Sequence, residues 1–265
     1  MLAEERLREG NLEDALKLLE GQVRKDPSNA QYRIFLFQLL SILGDWERAA
    51  TQLDIAADLD ASTLAMVQMY REALRCEALR DEIIRTGKYA PVLLGEPEQW
   101  LAPMLQALRL TAEGRYPAAR KLRDEAFQLA PMTSGVIDGT PFRWIADADP
   151  RMGPVLEAVV NGRYYWMPFH RVKAITIEEP ADLRDYVWMP AHFTFVNGGE
   201  TVGLIPTRYA GSHTSEDAQV QMGHKTIWLE QGKDLFGGQG QRLFTTDTAE
   251  YAIMDIRKIE LNPAA

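Results

Sequence analysis

Gly10-Asn11-Leu12-Glu13-Asp14-Ala15 returns 34 residues later as Gly44-Asp45-Trp46-Glu47-Arg48-Ala49. The match continues downstream, where Leu19 answers Leu53 and Asp26-Pro27 answers Asp60-Ala61. A third copy, Gly114-Arg115-Tyr116-Pro117-Ala118-Ala119, is followed by Ala130-Pro131. It stands 70 residues after the second, two periods plus two, so the intervening unit is irregular. Each position has a physical use. Gly ends one helix because it tolerates positive φ. The small Ala lets the next helix approach closely. Pro stops that helix and opens the one after it. One helical hairpin cannot bury its apolar face alone, so such hairpins stack.

The period is that of tetratricopeptide hairpins. Helices are expected near 2–9, 12–25, 29–43, 46–58, 62–86, 97–113 and 116–129. The long one starts with Ser62 as N-cap and stops before Gly87. Residues 88–97 read as a loop with two prolines. In stacked hairpins the first helix lines a groove. By repeat register that lining is Gln31, Ile34, Gln38, Ser41 and Ile42 in the second unit. Leu101, Met104, Leu108 and Thr111 are the counterparts in the irregular copy. Against this stands ordinary packing, since apolar residues at helical spacing usually form core.

The pattern changes at APMTSGVIDG (130–139), where turn-forming residues cluster. The chain is therefore divided into 1–133, a tetratricopeptide-like all-helical domain, and 134–265, a β-rich α+β domain. A short helix is expected over 155–161. Strands are expected over 164–167, 172–178, 188–196, 201–206, 226–229, 241–245 and 252–260. Asn197-Gly198-Gly199 signals a hairpin. The fold class is thus multidomain α and α+β: a helical hairpin array followed by a mainly antiparallel β domain, in a small sheet or barrel. A local duplication, Tyr164-x-Trp166-Met167-Pro168-x-His170 and Tyr186-x-Trp188-Met189-Pro190-x-His192, suggests two equivalent corners of one sheet. Tyr164, Trp166 and Trp188 offer a second interaction surface, because aromatic residues are frequent interface anchors. Ordinary β-domain core is the alternative.

Composition narrows the function. With 29 Lys+Arg against 38 Asp+Glu, the 265-residue chain carries −9. That argues against non-specific nucleic-acid binding and against docking on an anionic membrane. The single cysteine, Cys76, permits no intrachain disulfide and no Cys-based zinc site. The first residues, Met1-Leu2-Ala3-Glu4-Glu5-Arg6, show no apolar leader. No apolar run has the length of a membrane span. The expectation is a soluble, cytoplasmic protein.

Chemical motifs are sparse. His170, His192, His213 and His224 fall in no short metal-binding motif. Asp147 and Asp149, with Arg151, form a carboxylate pair that suits acid–base work or loop salt bridges. Gly237-Gly238-Gln239-Gly240-Gln241-Arg242 lacks the ending of a phosphate loop and reads as a turn feeding a strand. Cys76 lies mid-helix with no sequence partner that would activate it. No cofactor motif is present.

In combination, several segments resemble the ImpE/TagJ (SciE-type) family of accessory proteins of the bacterial type VI secretion system. They are PFRWIADADPRMGPVLE (141–157), NGRYYWMPF (161–169), Pro180…Arg184-Asp185…Trp188-x-Pro190-Ala191, Ile205-Pro206-x-Arg208-Tyr209-x-Gly211-Ser212, Met222-Gly223-x-Lys225-Thr226-x-Trp228, and Gly238-Gln239-Gly240-Gln241-Arg242. The resemblance implies an adaptor without catalytic residues. Its partner would be the N-terminal helix of the small contractile-sheath subunit (TssB), with the unfoldase ClpV connected indirectly through sheath recycling. Two other readings stand beside it. One is an enzyme using His170, His192 and Asp147, with the repeats recruiting substrate. The other is a generic repeat scaffold for a different complex.

Overall fold

Gly10, Gly44 and Gly114 all take positive φ, at 78°, 77° and 72°, in the computed structural model. The structure describes residues 2–88, 92–93, 98–232 and 235–262. The first glycine joins α1 (Leu2–Arg8) to α2 (Leu12–Lys25), and the second joins α3 (Ala30–Leu43) to α4 (Trp46–Leu59). After the long α5 (Leu64–Thr86), the third joins α6 (Leu101–Ala112) to α7 (Tyr116–Leu129). Asn11 and Asp45 cap their helices by accepting from the backbone N–H of Asp14 and Arg48. Arg115 makes no such cap, and Pro117 in the first turn presets the helical φ instead. The motif alanines Ala15, Ala49 and Ala119 are fully buried. Ser62 does not cap the long helix. A 3-10 turn, Ala61–Thr63, precedes α5, and the Asp60 carboxylate takes the Ser62 N–H (2.9 Å). Gly87 ends α5 in the left-handed region, as the sequence predicts. Most of the expected loop at 88–97 lies outside the described residues.

The strands are β1 (Val92–Leu93), β2 (Ser134–Ile137), β3 (Thr140–Phe142), β4 (Ile145–Asp147), β5 (Val155–Val160), β6 (Arg163–Pro168), β7 (Val172–Ile177), β8 (Trp188–Phe195) and β9 (Glu200–Pro206). A short helix, α8 (Ala218–Gln221), precedes β10 (Thr226–Gly232), β11 (Leu235–Gly240), β12 (Leu243–Thr246), β13 (Glu250–Ala252) and β14 (Lys258–Asn262). Nine strands form one sheet in the order β1-β6-β5-β9-β8-β7-β14-β2-β3. All its pairs are antiparallel except β1 with β6, so the helical segment supplies an edge strand. A three-stranded sheet, β13-β12-β4, and the β10–β11 ribbon complete the β structure.

The large sheet is covered on both faces. Val155, Val159, Tyr164, Trp166, Trp188 and Leu204 share a core with the helices. The alternating residues Leu156, Ala158, Met167, Met189 and Ile205 belong to a second core with Phe244 and Ile259. Residues 155–160 are therefore a strand and not the expected short helix. With both faces buried, the apolar run loses the alternation that marks a half-exposed strand. The duplicated motif forms no equivalent corners either. Trp166 sits inside β6, while Trp188 opens β8.

Candidate functional site

The two halves are joined by a chain of buried charges. Arg80 of α5 reaches Glu157 of β5 through Nε (2.8 Å) and Nη2 (3.0 Å), and Glu77 through Nη1 (2.6 Å). Glu157 also accepts from the Tyr164 hydroxyl and from Arg242, whose other arm holds Asp147. Burial works to raise the Glu157 pKa, but Arg80 and Arg242 outweigh it and hold the carboxyl well below the usual range. Asp147 has Arg242 but also Asp149 beside it, and burial pushes its carboxyl up to about 7. Arg208 has a different task. Its guanidinium donates to the carbonyls of Ser41 (3.2 Å), Ile42 (2.9 Å) and Gln221. It thus caps the C-terminal end of α3, where carbonyls lack helical partners.

These contacts leave a groove on the other half of α3. One cavity, about 1030 Å³, runs between α1, α3 and the segment 181–186, and is also lined by Gln219, Met222 and His224. A second, about 970 Å³, runs between α5, the β5–β6 hairpin and β8–β9. Met66 and Arg184 line both, so the two adjoin at these side chains as the two stretches of a trough. The Arg184 guanidinium lies 4.9 Å from the centre of the Tyr70 ring and is paired with Asp182 (2.8 Å) at this junction. Tyr32, Ile34, Phe35, Met222, Met69 and Val202 supply apolar wall, with Glu4, Arg8, Asp182 and His192 along the trough.

Of the residues expected to line the repeat groove, Gln31, Ile34 and Gln38 do so. The rest are corrected. Ser41 and Ile42 are fully buried, because Arg208 and the turn Ser212–Thr214 cover that end of α3. Leu101, Met104, Leu108 and Thr111 are buried as well, and the first three share a core with Met152, Val155 and Trp166. Tyr164, Trp166 and Trp188 are no surface anchors. Tyr164 and Trp166 are hydrogen-bonded to each other (2.9 Å), and Trp188 Nε1 donates to Glu77 (3.2 Å). Aromatic size and a polar tip serve a core seam and an interface equally, so sequence alone does not separate them. Sequence reasoning missed the opposite wall, 181–186 and 219–224, which has no helical periodicity to mark it.

A relative from Pseudomonas aeruginosa, the type VI secretion system accessory component TagJ, is 52% identical over 263 residues, which is 99% of this chain and 92% of that protein. This chain belongs to the ImpE/TagJ family. The family description "ImpE protein" matches residues 139–260. The crystal structure of protein VPA1032 from Vibrio parahaemolyticus aligns with a TM-score of 0.90, covering 100% of this chain and 98% of that one at 24% identity. That likeness is one of fold.

The residues considered for chemistry are held apart in this ImpE/TagJ family member. His170 Nε2 pairs with Glu98 (2.9 Å), which also takes Arg171 (2.6 Å). His192 stands opposite Thr176, four residues along β7 from Val172, or about 13 Å at about 3.3 Å per residue. Asp147 is buried against Arg242. No acid–base set forms from these three. The 237–240 run is strand β11 rather than a turn, and the Gly238 N–H donates to Asp149 (2.8 Å). Burial raises the Cys76 thiol to about 12, which keeps it protonated. Among the described residues, no three His, Cys, Asp or Glu side chains are grouped to hold a metal. No helix there is long and apolar enough to cross a membrane.

Proposed function

We propose that this protein is a non-enzymatic accessory component of a type VI secretion system, acting in the cytoplasm as an adaptor that seats an amphipathic helix in the trough beneath α3. The observation that carries the reading is the adjacency of the two cavities, which meet at Met66 and Arg184. A helix with its side chains is about 10–12 Å across and needs an extended trough, not a closed pocket. The apolar wall suits anchors at i, i+3 or i+4, and i+7, and the charged residues suit the helix's polar flanks. The kinship with TagJ supports the secretion-system role. The partner we assign is the N-terminal helix of the small sheath subunit TssB. Its capture would influence sheath assembly or ClpV-dependent recycling.

Calorimetric titration with a synthetic peptide of the cognate sheath helix tests this. Saturable binding with a negative heat-capacity change is expected. Ile34→Glu and Val202→Glu, on the two stretches of the trough, should each weaken binding at least about tenfold, roughly 1.4 kcal/mol. A folded protein that binds no such peptide would refute the proposal.

A further inference from the structure

Most sheet edges in this protein are guarded. The nine-stranded sheet ends in β1, of two residues, and β3, of three residues with Pro141 at its centre. The three-stranded sheet ends in β4 and β13, of three residues each. Short or proline-bearing edges give a foreign strand no template. Strand β10 is different. It runs for seven residues, pairs only with β11, and carries one charged side chain, Glu230.

The hydrogen bonds fix which backbone groups of β10 face outward. In an antiparallel pair, opposite residues bond each other at alternate positions. Trp228 stands opposite Gly238, whose N–H is turned away from β10 to Asp149 (2.8 Å). Gly240, opposite Thr226, likewise donates away from β10, to Ser212 (2.8 Å). The outer side of β11 is thus occupied. By the same alternation, the backbone N–H and C=O groups of Thr226, Trp228 and Glu230 point to the free side of β10. Among the described residues, no backbone hydrogen bond reaches them. Trp228 and Leu229 are exposed beside this edge.

We propose that β10 pairs with β10 of a second copy of this chain, antiparallel about a two-fold axis at Trp228. The two ribbons become one four-stranded sheet. The strand is self-complementary in this register. The outward groups of Thr226 and Glu230 bond each other across the axis, and those of Trp228 bond their own counterpart. At the closer positions between them, Ile227 packs on Leu229 of the second copy. Glu230 faces Thr226 and never its own copy, so no like charges meet. Moving the axis to Leu229 would set Trp228 against Glu230 and Ile227 against Gln231. A contact of this kind uses the same patch twice and closes at two copies. No residue lining the trough beneath α3 belongs to β10, so the surface is a separate one.

Sedimentation velocity of the full-length protein over a concentration series tests this, with amide hydrogen exchange as the local readout. The mass should rise from monomer toward dimer. Exchange at Trp228 and Glu230 should slow at least tenfold in concentrated protein, while Thr140 on the β3 edge stays unchanged. Glu230→Pro removes an N–H that points to the free side, so the β10–β11 ladder survives and melting stays near wild type. It should weaken association at least tenfold. Trp228→Lys, which sets like charges face to face on the axis, is the second variant should the first not fold, and the same loss is expected. A dimer that survives either folded variant, or one that leaves the Trp228 and Glu230 amides unprotected, would overturn the proposal. A monomer at every concentration would also overturn it and leave this edge to a foreign strand.

Discussion

Asp147 and Glu157 grip the same arginine, yet their titrations run in opposite directions. Glu157 faces two guanidinium groups and the Tyr164 hydroxyl, which favour its charge despite burial. Its contribution to stability is present above about pH 4.5 and is lost only as pH falls through its depressed folded value. Asp147 has one arginine and a neighbouring carboxylate, and burial raises it from 3.8 to about 7. The fold therefore favours the protonated form, and this group's contribution is full below pH 3.8 and lost as pH rises through 7. Asp147→Asn mimics the protonated state. Urea unfolding from pH 5 to pH 8 should show wild-type stability falling with pH and the variant falling less. Parallel slopes would contradict the assignment. Salt bridging by Asp147 was one of the two readings the sequence offered, but its partner Arg242 was not legible there, nor was the role of Glu157. Asp147 and Arg242 lie 95 residues apart, and the pairing of β4 with β12, which Arg242 immediately precedes, brings them together.

At the scale of elements, the three turn glycines share a conformation but not surroundings. An added Cβ at Gly114 meets nothing within 4 Å, whereas at Gly44 it would lie 2.3 Å from the His213 ring. Gly114→Ala should cost about 1–2 kcal/mol, the penalty of a left-handed backbone alone. Gly44→Ala should cost clearly more, because the turn on which α3 ends must also part from the β half. Chemical denaturation of the two variants would read the difference. The hairpins were legible because glycine, cap and small alanine recur at fixed spacing. Strand β5 was not, although its signal was present. Asn161-Gly162 and Asp138-Gly139 are hairpin dipeptides, and all four residues take positive φ, closing β5–β6 and β2–β3. The glycine-rich β11 was hidden differently. An added Cβ at Gly238 would fall 2.4 Å from the Tyr209 ring, so close approach, not turn chemistry, requires glycine there. Of the trough, the α3 wall followed from repeat register, while the facing segments come together only through the tertiary fold.

For the molecule as a whole, the helical array and the sheet lean on each other's polar groups as well as on a shared core. Arg80 is buried by the sheet, and Arg208 completes a helix end that belongs to the other half. A fragment of residues 1–133 would expose the partners of both contacts together with Val67, Tyr70 and Leu74. The full-length chain should therefore unfold in one calorimetric transition, and the fragment should aggregate or stay partly unfolded. Removing one member of a buried ion cluster typically costs about 3–5 kcal/mol, so Arg80→Met should lower the single transition without splitting it. Two separate transitions would show that the halves are thermodynamically independent. Trp188 gives this seam a reporter of its own. Its indole lies against Tyr70 and Trp46 of the helices and donates to Glu77, while its backbone belongs to β8. Any event that parted the halves would wet that ring, so the indole N–H resonance of Trp188, resolved from those of the chain's other five tryptophans, would reveal whether a bound partner pries the molecule open or leaves it shut.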